Sequence, residues 1–343
     1  MKDILVVLTG GTIGSRIRGQ WVDVNDTSAY TLIELYRKTY GQEEHFQVVQ
    51  PFSILSENMS PQMWEKLGRF LWNIAYEKYE GVILAHGSDT LTYTSAFLGM
   101  LLAHVPVPVV LTASNYPLGE EGSNGLVNFR SAVELIGTGL LKGVFTVYQN
   151  NKGENNVYLA SRITEADAYL DQFGSFGGPV FGRMEKGTFH WNNARINPSL
   201  PHIMKEKKRI ADICPRFEKQ VLMIRPYPGL DYDAVDLSGK PGAVLHYLYH
   251  SATACTQGQR YSAVNFVKRC RRGGIPVYMA SCKDARGRNY VTAGELMEAG
   301  AIPMENISPE AAYAKLMLFY NLGLEDIPER INQPVFYENL GKC

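Results

Sequence analysis

Two short segments of this sequence place glycine, hydroxyl and acidic residues directly after apolar runs. They are T-G-G-T-I-G at residues 9–14 and H-G-S-D-T at residues 86–90. Glycines let a backbone approach a ligand closely, and a hydroxyl such as that of Thr12 can attack a reactive carbon. A carboxylate such as Asp89 can bind an ammonium group, while Ser88 can hold or activate a water molecule. Both segments are therefore candidate ligand-binding turns.

Simpler interpretations of the two segments stay open. The first segment could be a tight glycine turn with no chemistry, and it matches neither G-x-G-x-x-G nor a G-K-[ST] phosphate loop. In the second, Ser88 or Asp89 could cap the helix that follows. His86 could be a structural hydrogen-bonding group or a base. The second segment also lacks the last glycine of the G-x-S-x-G elbow found in serine hydrolases.

The elements that must position these turns follow an α/β pattern. Apolar runs at residues 4–8, 81–85 and 107–111 predict buried parallel strands. Helices are predicted from Pro61 to about Tyr79, with Ser60 as N-cap, and over residues 90–102 and 124–138. Since ligands bind at the carboxyl ends of strands in such sheets, both turns lie at the expected edge.

Length and composition predict two domains in a chain of 343 residues. We predict a larger doubly wound N-terminal α/β domain at residues 1–197, a linker at 198–218 and a smaller C-terminal α/β domain at 219–343. A glycine- and aromatic-rich stretch at 173–197 predicts a hairpin. The second domain is expected to contain three or four strands, with helices over 262–272, 292–299 and 308–321.

Charge and cysteine content argue against several classes of partner and against disulfide or zinc sites. The 34 basic residues balance the 34 acidic ones, so no overall field attracts nucleic acid or an anionic membrane. The five cysteines are scattered, without C-x-x-C or histidine at ligand spacing, which argues against disulfides and structural zinc. Cys255 and Cys282 are expected to be buried. The first apolar run is too short for a signal peptide or a membrane span, so a cytoplasmic protein is expected.

The two turns together resemble the bacterial-type L-asparaginases, which include the glutaminase-asparaginases and the asparaginase-like subunit of the archaeal tRNA amidotransferase. The resemblance rests on T-G-G-T-I-G at 9–14 and H-G-S-D-T-L at 86–91. S-E-N-M at 56–59 and N-G-L-V-N at 124–128 extend it. It implies the asparaginase fold, no cofactor, and a homodimer or homotetramer that acts on a small amino-acid substrate.

The resemblance also implies roles for individual residues. Thr12 matches the threonine that attacks the side-chain amide carbon, and Ser88 stands where the family has its second threonine. The substrate's α-ammonium would bind Asp89 and Glu57, and its α-carboxylate Ser56. The last implied residue, Ala113, would turn its backbone carbonyl toward the substrate amide. A loop at residues 249–255 matches one that reaches a neighbouring subunit's site in the family; it could equally be a turn capped by Ser or Thr.

One departure from the family concerns its activating lysine. The family motif A-R-x-x-T-K should fall at residues 160–167, where Glu165 takes the lysine's position. Glu165 could act as a general base for Ser88, favour a more cationic ligand, or mark a pocket that binds without turnover; it could also be a solvent-facing helix residue. Arg162 is an alternative cation, although it cannot accept a proton. Trp21 or Tyr30 could cover the substrate.

These features predict an amidohydrolase that cleaves the side-chain amide of asparagine or a related small amino-acid amide. The alternative is a catalytically weak or repurposed relative, which binds an amino-acid-like ligand or acts on a modified amino acid.

Overall fold

The chain folds into two compact α/β units, residues 1–214 and 215–343. The computed structural model describes residues 2–11, 15–18, 21–24, 28–41, 44–170 and 172–341, with backbone only at 15–18, 21–24 and 28–30. The predicted mixed α/β fold is confirmed. The boundary between the units lies at 214/215, within the segment predicted as a linker.

Twelve strands are described in the first unit. They are β1 (Asp3–Leu8), β2 (Ser15–Arg18), β3 (Trp21–Val24), β4 (Phe46–Val49), β5 (Tyr79–Ala85), β6 (Pro108–Thr112), β7 (Gly143–Gln149), β8 (Asn155–Leu159), β9 (Ile163–Asp167), β10 (Gln172–Ser175), β11 (Gly182–Glu185) and β12 (Thr188–Trp191). Its described helices are α1 (Ser28–Tyr40), α2 (Pro61–Trp72), α3 (Leu91–Leu101), α4 (Gly125–Gly137) and α5 (Leu200–Met204).

Eight of these strands form one sheet in the order β12-β11-β8-β7-β6-β5-β1-β4. The strands β4, β1, β5, β6 and β7 run parallel to one another. Beyond β7, each neighbouring pair is antiparallel: β7 with β8, β8 with β11, and β11 with β12. The chain passes from β1 to β4 on one side and then returns to β5 on the other side of β1. The carboxyl ends of β1 and β5 therefore flank the point where the strand order reverses, which is where open α/β sheets bind ligands.

Burial explains why the central strands form where the apolar runs predict them. In β1 every residue after Asp3 is buried, and residues 81–85 of β5 are buried without a gap. A parallel strand covered by helices on both faces favours such continuous apolar runs over alternation. The predicted helices at 90–102 and 124–138 are confirmed as α3 and α4 to within one residue at each end.

The helix predicted from Pro61 to about Tyr79 has the expected beginning but ends early. Ser60 is its N-cap and accepts a hydrogen bond from the Met63 N–H, with Pro61 in the first turn. The helix stops at Trp72, because the Asn73 side chain donates to the Arg69 carbonyl and ends the backbone ladder. Tyr79 is already the first residue of β5.

Short strands account for the segment predicted as a hairpin. Strands β11 and β12 pair antiparallel, as predicted. β10 pairs with β9 in a separate two-stranded sheet, which the sequence did not predict. β9 carries residue 165, so Glu165 lies on a strand and not on a helix, although it is exposed to solvent as that alternative expected.

The second unit contains a four-stranded parallel sheet. Its described elements are β13 (Val221–Ile224), β14 (Ala243–Tyr247), α6 (Ala263–Arg272), β15 (Val277–Cys282), α7 (Val291–Glu298), β16 (Ile302–Glu305), α8 (Pro309–Asn321) and α9 (Ile327–Arg330). The strands pair in chain order, β13-β14-β15-β16. The predicted helices begin within one residue of α6, α7 and α8, and Ser262 and Ser308 cap α6 and α8 through hydrogen bonds.

A buried ion pair ties the C-terminal segment of this unit to α8. Lys315 and Glu338 are both 0% exposed, with Nζ and Oε1 2.8 Å apart. Lys315 also donates to the Gln333 carbonyl, and Glu338 accepts from the Phe336 N–H. Both charges are therefore compensated inside the core, as buried charges must be.

Candidate active site

Three segments meet at the carboxyl ends of β1 and β5. The Thr9 N–H and hydroxyl both donate to the Ala85 carbonyl, while the Gly11 N–H donates to the Ile54 carbonyl. A Cβ on Gly11 would lie 2.4 Å from the Gly87 Cα, and one on Gly87 would lie 2.5 Å from Ser56 Oγ. Only glycine allows this approach, so both glycines bring the turns and Ser56 into direct contact.

Ser56 and Asp89 form the polar centre of this convergence. The Ser56 hydroxyl donates to Asp89 Oδ2 at 3.2 Å, although 33 residues separate the two in the chain. A second bond links the segments, because the Thr90 hydroxyl donates to the Ser56 carbonyl at 2.8 Å. Ser56 is buried, whereas Asp89 is exposed and open to a ligand.

The described contacts do not show the capping alternative for Ser88 and Asp89. Thr90 occupies the N-cap position of α3, and its side chain makes no capping hydrogen bond. Ser88 is half-buried beside it. Glu57 lies in a 3-10 turn over Ser56–Asn58 and is exposed. The roles of Ser88 and Glu57 stay predictions.

His86 is enclosed beneath these segments. It is completely buried, and its Nδ1 lies 2.8 Å from the Gly87 carbonyl, so Nδ1 carries the hydrogen. Burial lowers the pKa of His86 to about 4, outweighing the hydrogen bond to Gly87 and the charge of Asp89. No described residue bonds Nε2. The histidine is thus neutral near pH 7 and makes the structural hydrogen bond that was one of its predicted roles.

Ala113 follows β6 at the same edge of the sheet. Its carbonyl accepts a hydrogen bond from Asn128 Nδ2 at 2.9 Å, and Asn128 Oδ1 accepts from the Gln149 N–H. Asn128 is completely buried on α4. Asn128 had no predicted role, although it belongs to the N-G-L-V-N segment.

Glu165 lies exposed on β9 and accepts a hydrogen bond from the Tyr93 hydroxyl at 2.8 Å. Tyr93 belongs to the first turn of α3 and was not among the predicted site residues. Nothing in the motifs signals it, because its contact is 72 residues away in the chain. Arg162 is buried and donates to the Ile196 carbonyl.

Thr12 lies outside the described residues, and so do the side chains of Trp21 and Tyr30. Their predicted roles stay predictions. The described neighbour of Thr12 in the chain is Gly11, which has φ +77° and contacts Gly87.

Two expectations for the second unit are corrected. Cys255 is exposed rather than buried, because it lies in the long loop between β14 and α6. Cys282 is buried as expected, and burial raises the pKa of its thiol to about 12. The loop at 249–255 does not cap α6, which begins later with Ser262 as its N-cap.

Within the described ranges, no group of three histidine, cysteine or acidic residues could hold a metal ion. None of the described helices is both long and apolar enough to cross a membrane.

A comparison with protein families matches residues 3–197 to the family described as "Asparaginase, N-terminal". The match spans more than half of the chain and contains all three converging segments. This chain belongs to the asparaginase family.

Curated relatives of this asparaginase-family chain include the D subunits of glutamyl-tRNA(Gln) amidotransferases from two archaea. The Pyrococcus abyssi protein is 27% identical over 346 residues, which cover 95% of this chain and 74% of the relative. The Methanothermobacter thermautotrophicus protein is 28% identical over 354 residues, which cover 96% and 74%. Family and relatives place the chain among the amidohydrolases.

Solved asparaginases share its fold over nearly the whole length. The thermostable L-asparaginase from Thermococcus kodakarensis matches with a TM-score of 0.77 at 23% identity, covering 99% of both chains. L-asparaginase I from Vibrio cholerae matches with a TM-score of 0.77 at 20% identity, again covering 99% of both. The asparaginase-like fold is therefore shown for the chain.

Proposed function

We propose that this asparaginase-family chain hydrolyses the side-chain amide of asparagine or a related small amino-acid amide. The observation that supports this most directly is the contact between Ser56 Oγ and Asp89 Oδ2. A hydroxyl donor and a carboxylate held side by side suit the adjacent α-carboxylate and α-ammonium of one amino acid. Glu57 supplies a second carboxylate on the same 3-10 turn as Ser56.

In the proposed reaction the Thr12 hydroxyl attacks the amide carbon. The C–N bond breaks, the amide nitrogen gains the proton that the threonine hydroxyl releases, and ammonia departs while an ester forms on Thr12. Water then cleaves this ester, releasing the amino acid's new carboxylate and restoring the threonine hydroxyl. The Ala113 carbonyl, oriented by Asn128, accepts a hydrogen bond from the substrate amide.

The test is ammonia release from L-asparagine, D-asparagine, L-glutamine and small amino-acid amides. Activity that disappears in Thr12→Ala, and a KM that rises at least tenfold in Asp89→Asn and Ser56→Ala, would support the proposal. No release by a folded wild-type protein from any of these amides would refute it.

A second candidate function is binding of an amino-acid-like ligand without efficient turnover. It is favoured by the residue at position 165, where the family lysine is replaced by glutamate. If Glu165→Lys gained large asparaginase activity from an inactive wild type, this second function would be supported. An unchanged activity would show that Glu165 is not the only missing element.

We further propose a cytoplasmic homodimer or homotetramer, without nucleic-acid or membrane partners. Light scattering of the purified protein reports the assembly. A monomer at micromolar concentration would contradict it.

A further inference from the structure

The end of α6 gathers positive charge on one side of the second unit. Lys268, Arg269, Arg271 and Arg272 all fall within the last five residues of this helix. The whole chain carries as many acidic as basic residues, so the accumulation is local and not part of a generally basic surface. All four cations line one cavity of about 840 Å³.

Arg269 serves the fold itself. Its guanidinium donates to the carbonyls of Tyr232 and Val235, at 2.8 and 3.0 Å. Asp233 pairs with the same guanidinium at 3.5 Å. Arg269 therefore fixes the segment that carries these three residues against α6, as one wall of the cavity.

Lys268, Arg271 and Arg272 have exposed side chains that no described residue pairs with. They are spaced three and four residues apart, so they lie on one face of α6, where like charges repel. The helix dipole places about −0.5 charge at this end, which offsets only part of three positive charges. This face is therefore short of negative charge.

We propose that the cavity binds a small molecule that carries several linked phosphate groups. The inference does not depend on the proposed amide hydrolysis, because none of the residues that carry it belongs to the candidate active site.

The spacing and the chemistry of the three unpaired cations favour linked phosphates. Such phosphates place negative groups a few ångströms apart, which suits cations whose Cβ atoms lie about 5–6 Å apart on a helix face. A guanidinium can bind two oxygens of one phosphate side by side, and a lysine ammonium binds phosphate as a point charge. Gln259, which also lines the cavity, adds an amide N–H donor.

The other lining residues favour a small ligand over a nucleic acid. Asp233 and Glu298 lie in the same lining, and their carboxylates would repel a long polyanion laid across this surface. The cavity volume falls within the range of about 300–1,000 Å³ that is usual for small-molecule sites.

The test is calorimetric titration of the purified protein with tripolyphosphate, without magnesium. Tripolyphosphate should bind, and it should raise the midpoint of thermal unfolding, because it binds the folded chain. The double variant Lys268→Gln/Arg272→Gln should weaken this binding by about tenfold or more and lose the rise in midpoint. Both side chains are exposed, so the variant should fold.

ATP identifies the source of the phosphates. Equal affinity for ATP and tripolyphosphate would show that the phosphate chain alone is recognised. ATP bound more than about tenfold tighter would show that the site takes a nucleotide. Both results support the proposal, and adenosine, which has no phosphate, should not bind.

Arg286→Gln/Arg288→Gln is the matched control. It also removes two exposed cations from the second unit, but neither of them lines the cavity. Its affinity for tripolyphosphate should equal that of the wild type. Equal weakening in the two double variants would show only a general attraction of anions, and would overturn the proposal.

Three further results would overturn it. The first is no binding of tripolyphosphate or ATP at millimolar concentration. The second is citrate that binds as tightly as tripolyphosphate, because the site would then not select phosphate. The third is a single-stranded RNA that binds far more tightly than tripolyphosphate through Lys268 and Arg272, because the face would then be a nucleic-acid surface. None of these results bears on amide hydrolysis.

Discussion

Gly11 and Gly87 pack backbone against backbone at the centre of the candidate site. A Cβ on Gly11 would lie 2.4 Å from the Gly87 Cα and from its nitrogen. Gly11 also has φ +77°, a conformation that side-chain-bearing residues rarely adopt. The turn after β1 and the loop that carries Ser88 are thus kept at a separation that no other residue type permits.

We predict that Gly11→Ala severely destabilises the first unit and abolishes activity. The added methyl group meets rigid backbone and sits on a left-handed residue, so a loss of about 3 kcal/mol or more is expected. Urea unfolding and ammonia release measure the two effects. Gly137→Ala is the control, because its Cβ would meet no atom within 4 Å and it ends α4. Equal stability of the two variants would contradict the prediction.

Thr90→Val should weaken the link between the loops without unfolding the protein. Valine keeps the shape of threonine but removes the hydrogen bond to the Ser56 carbonyl. We expect a loss of about 1 kcal/mol in the free energy of unfolding and a raised KM for the amide.

The comparison variant is Thr138→Val, which removes a hydroxyl bond to the Leu135 carbonyl at the end of α4. It should lose similar stability with an unchanged KM. If both variants raised KM alike, the Thr90 bond would have no specific effect on substrate binding.

Replacing one member of the Lys315–Glu338 pair should cost about 3–5 kcal/mol, because the other charge remains buried and unpaired. We expect this of Lys315→Met and of Glu338→Gln, measured by urea unfolding. The double variant should lose clearly less than the sum of the single losses. Additive losses would show that the two charges do not interact.

The Lys315–Glu338 pair should also make the stability of the protein depend on pH in acid. Burial alone would raise the pKa of Glu338, but Lys315 and the Val335 N–H hold it below its ordinary value. A carboxyl with a lowered folded-state pKa stabilises the fold above the unfolded-state pKa, and this contribution disappears as the pH falls through the folded-state value. The wild type should therefore lose more stability below pH 4 than Glu338→Gln does; equal losses would contradict this.

His86 should make the first unit less stable at mildly acidic pH. Burial lowers its pKa from 6.5 to about 4, so the unfolded chain binds a proton that the folded chain does not. Stability then decreases as the pH falls from 6.5 toward 4, by about 3 kcal/mol in total. Nuclear magnetic resonance of the His86 ring should show a titration midpoint below 5. A midpoint near 6.5 would contradict its burial in neutral form.

The central strands and the helices α3 and α4 could be predicted because local sequence determines them: continuous apolar runs for buried strands, and amphipathic stretches after glycine turns. The end of α2 could not, since Asn73 terminates it by a side-chain bond that the apolar pattern does not reveal. Strand β9 was missed for a related reason. The segment is a strand because it pairs with β10, which follows after a turn, and this pairing cannot be read from the residues of β9 alone.

At the candidate site, Ser56 and Asp89 meet although their segments follow β4 and β5, which lie on opposite sides of β1. Their direct hydrogen bond and the bonds of Thr90, Tyr93 and Asn128 depend on contacts between distant segments, which spacing does not encode. The Cys255 expectation was wrong because an apolar neighbourhood in sequence does not bury a residue in a long loop.

The position of β1 between β4 and β5 has a consequence for synthesis on the ribosome. β1 is made first, yet one of its two neighbours is completed only at Ala85, and the sheet continues to Trp191 of β12. At about 5–20 residues per second, several seconds pass between the synthesis of β1 and the completion of β5. Until β4 and β5 have been made, the apolar strand β1 has neither of its sheet neighbours to pair with.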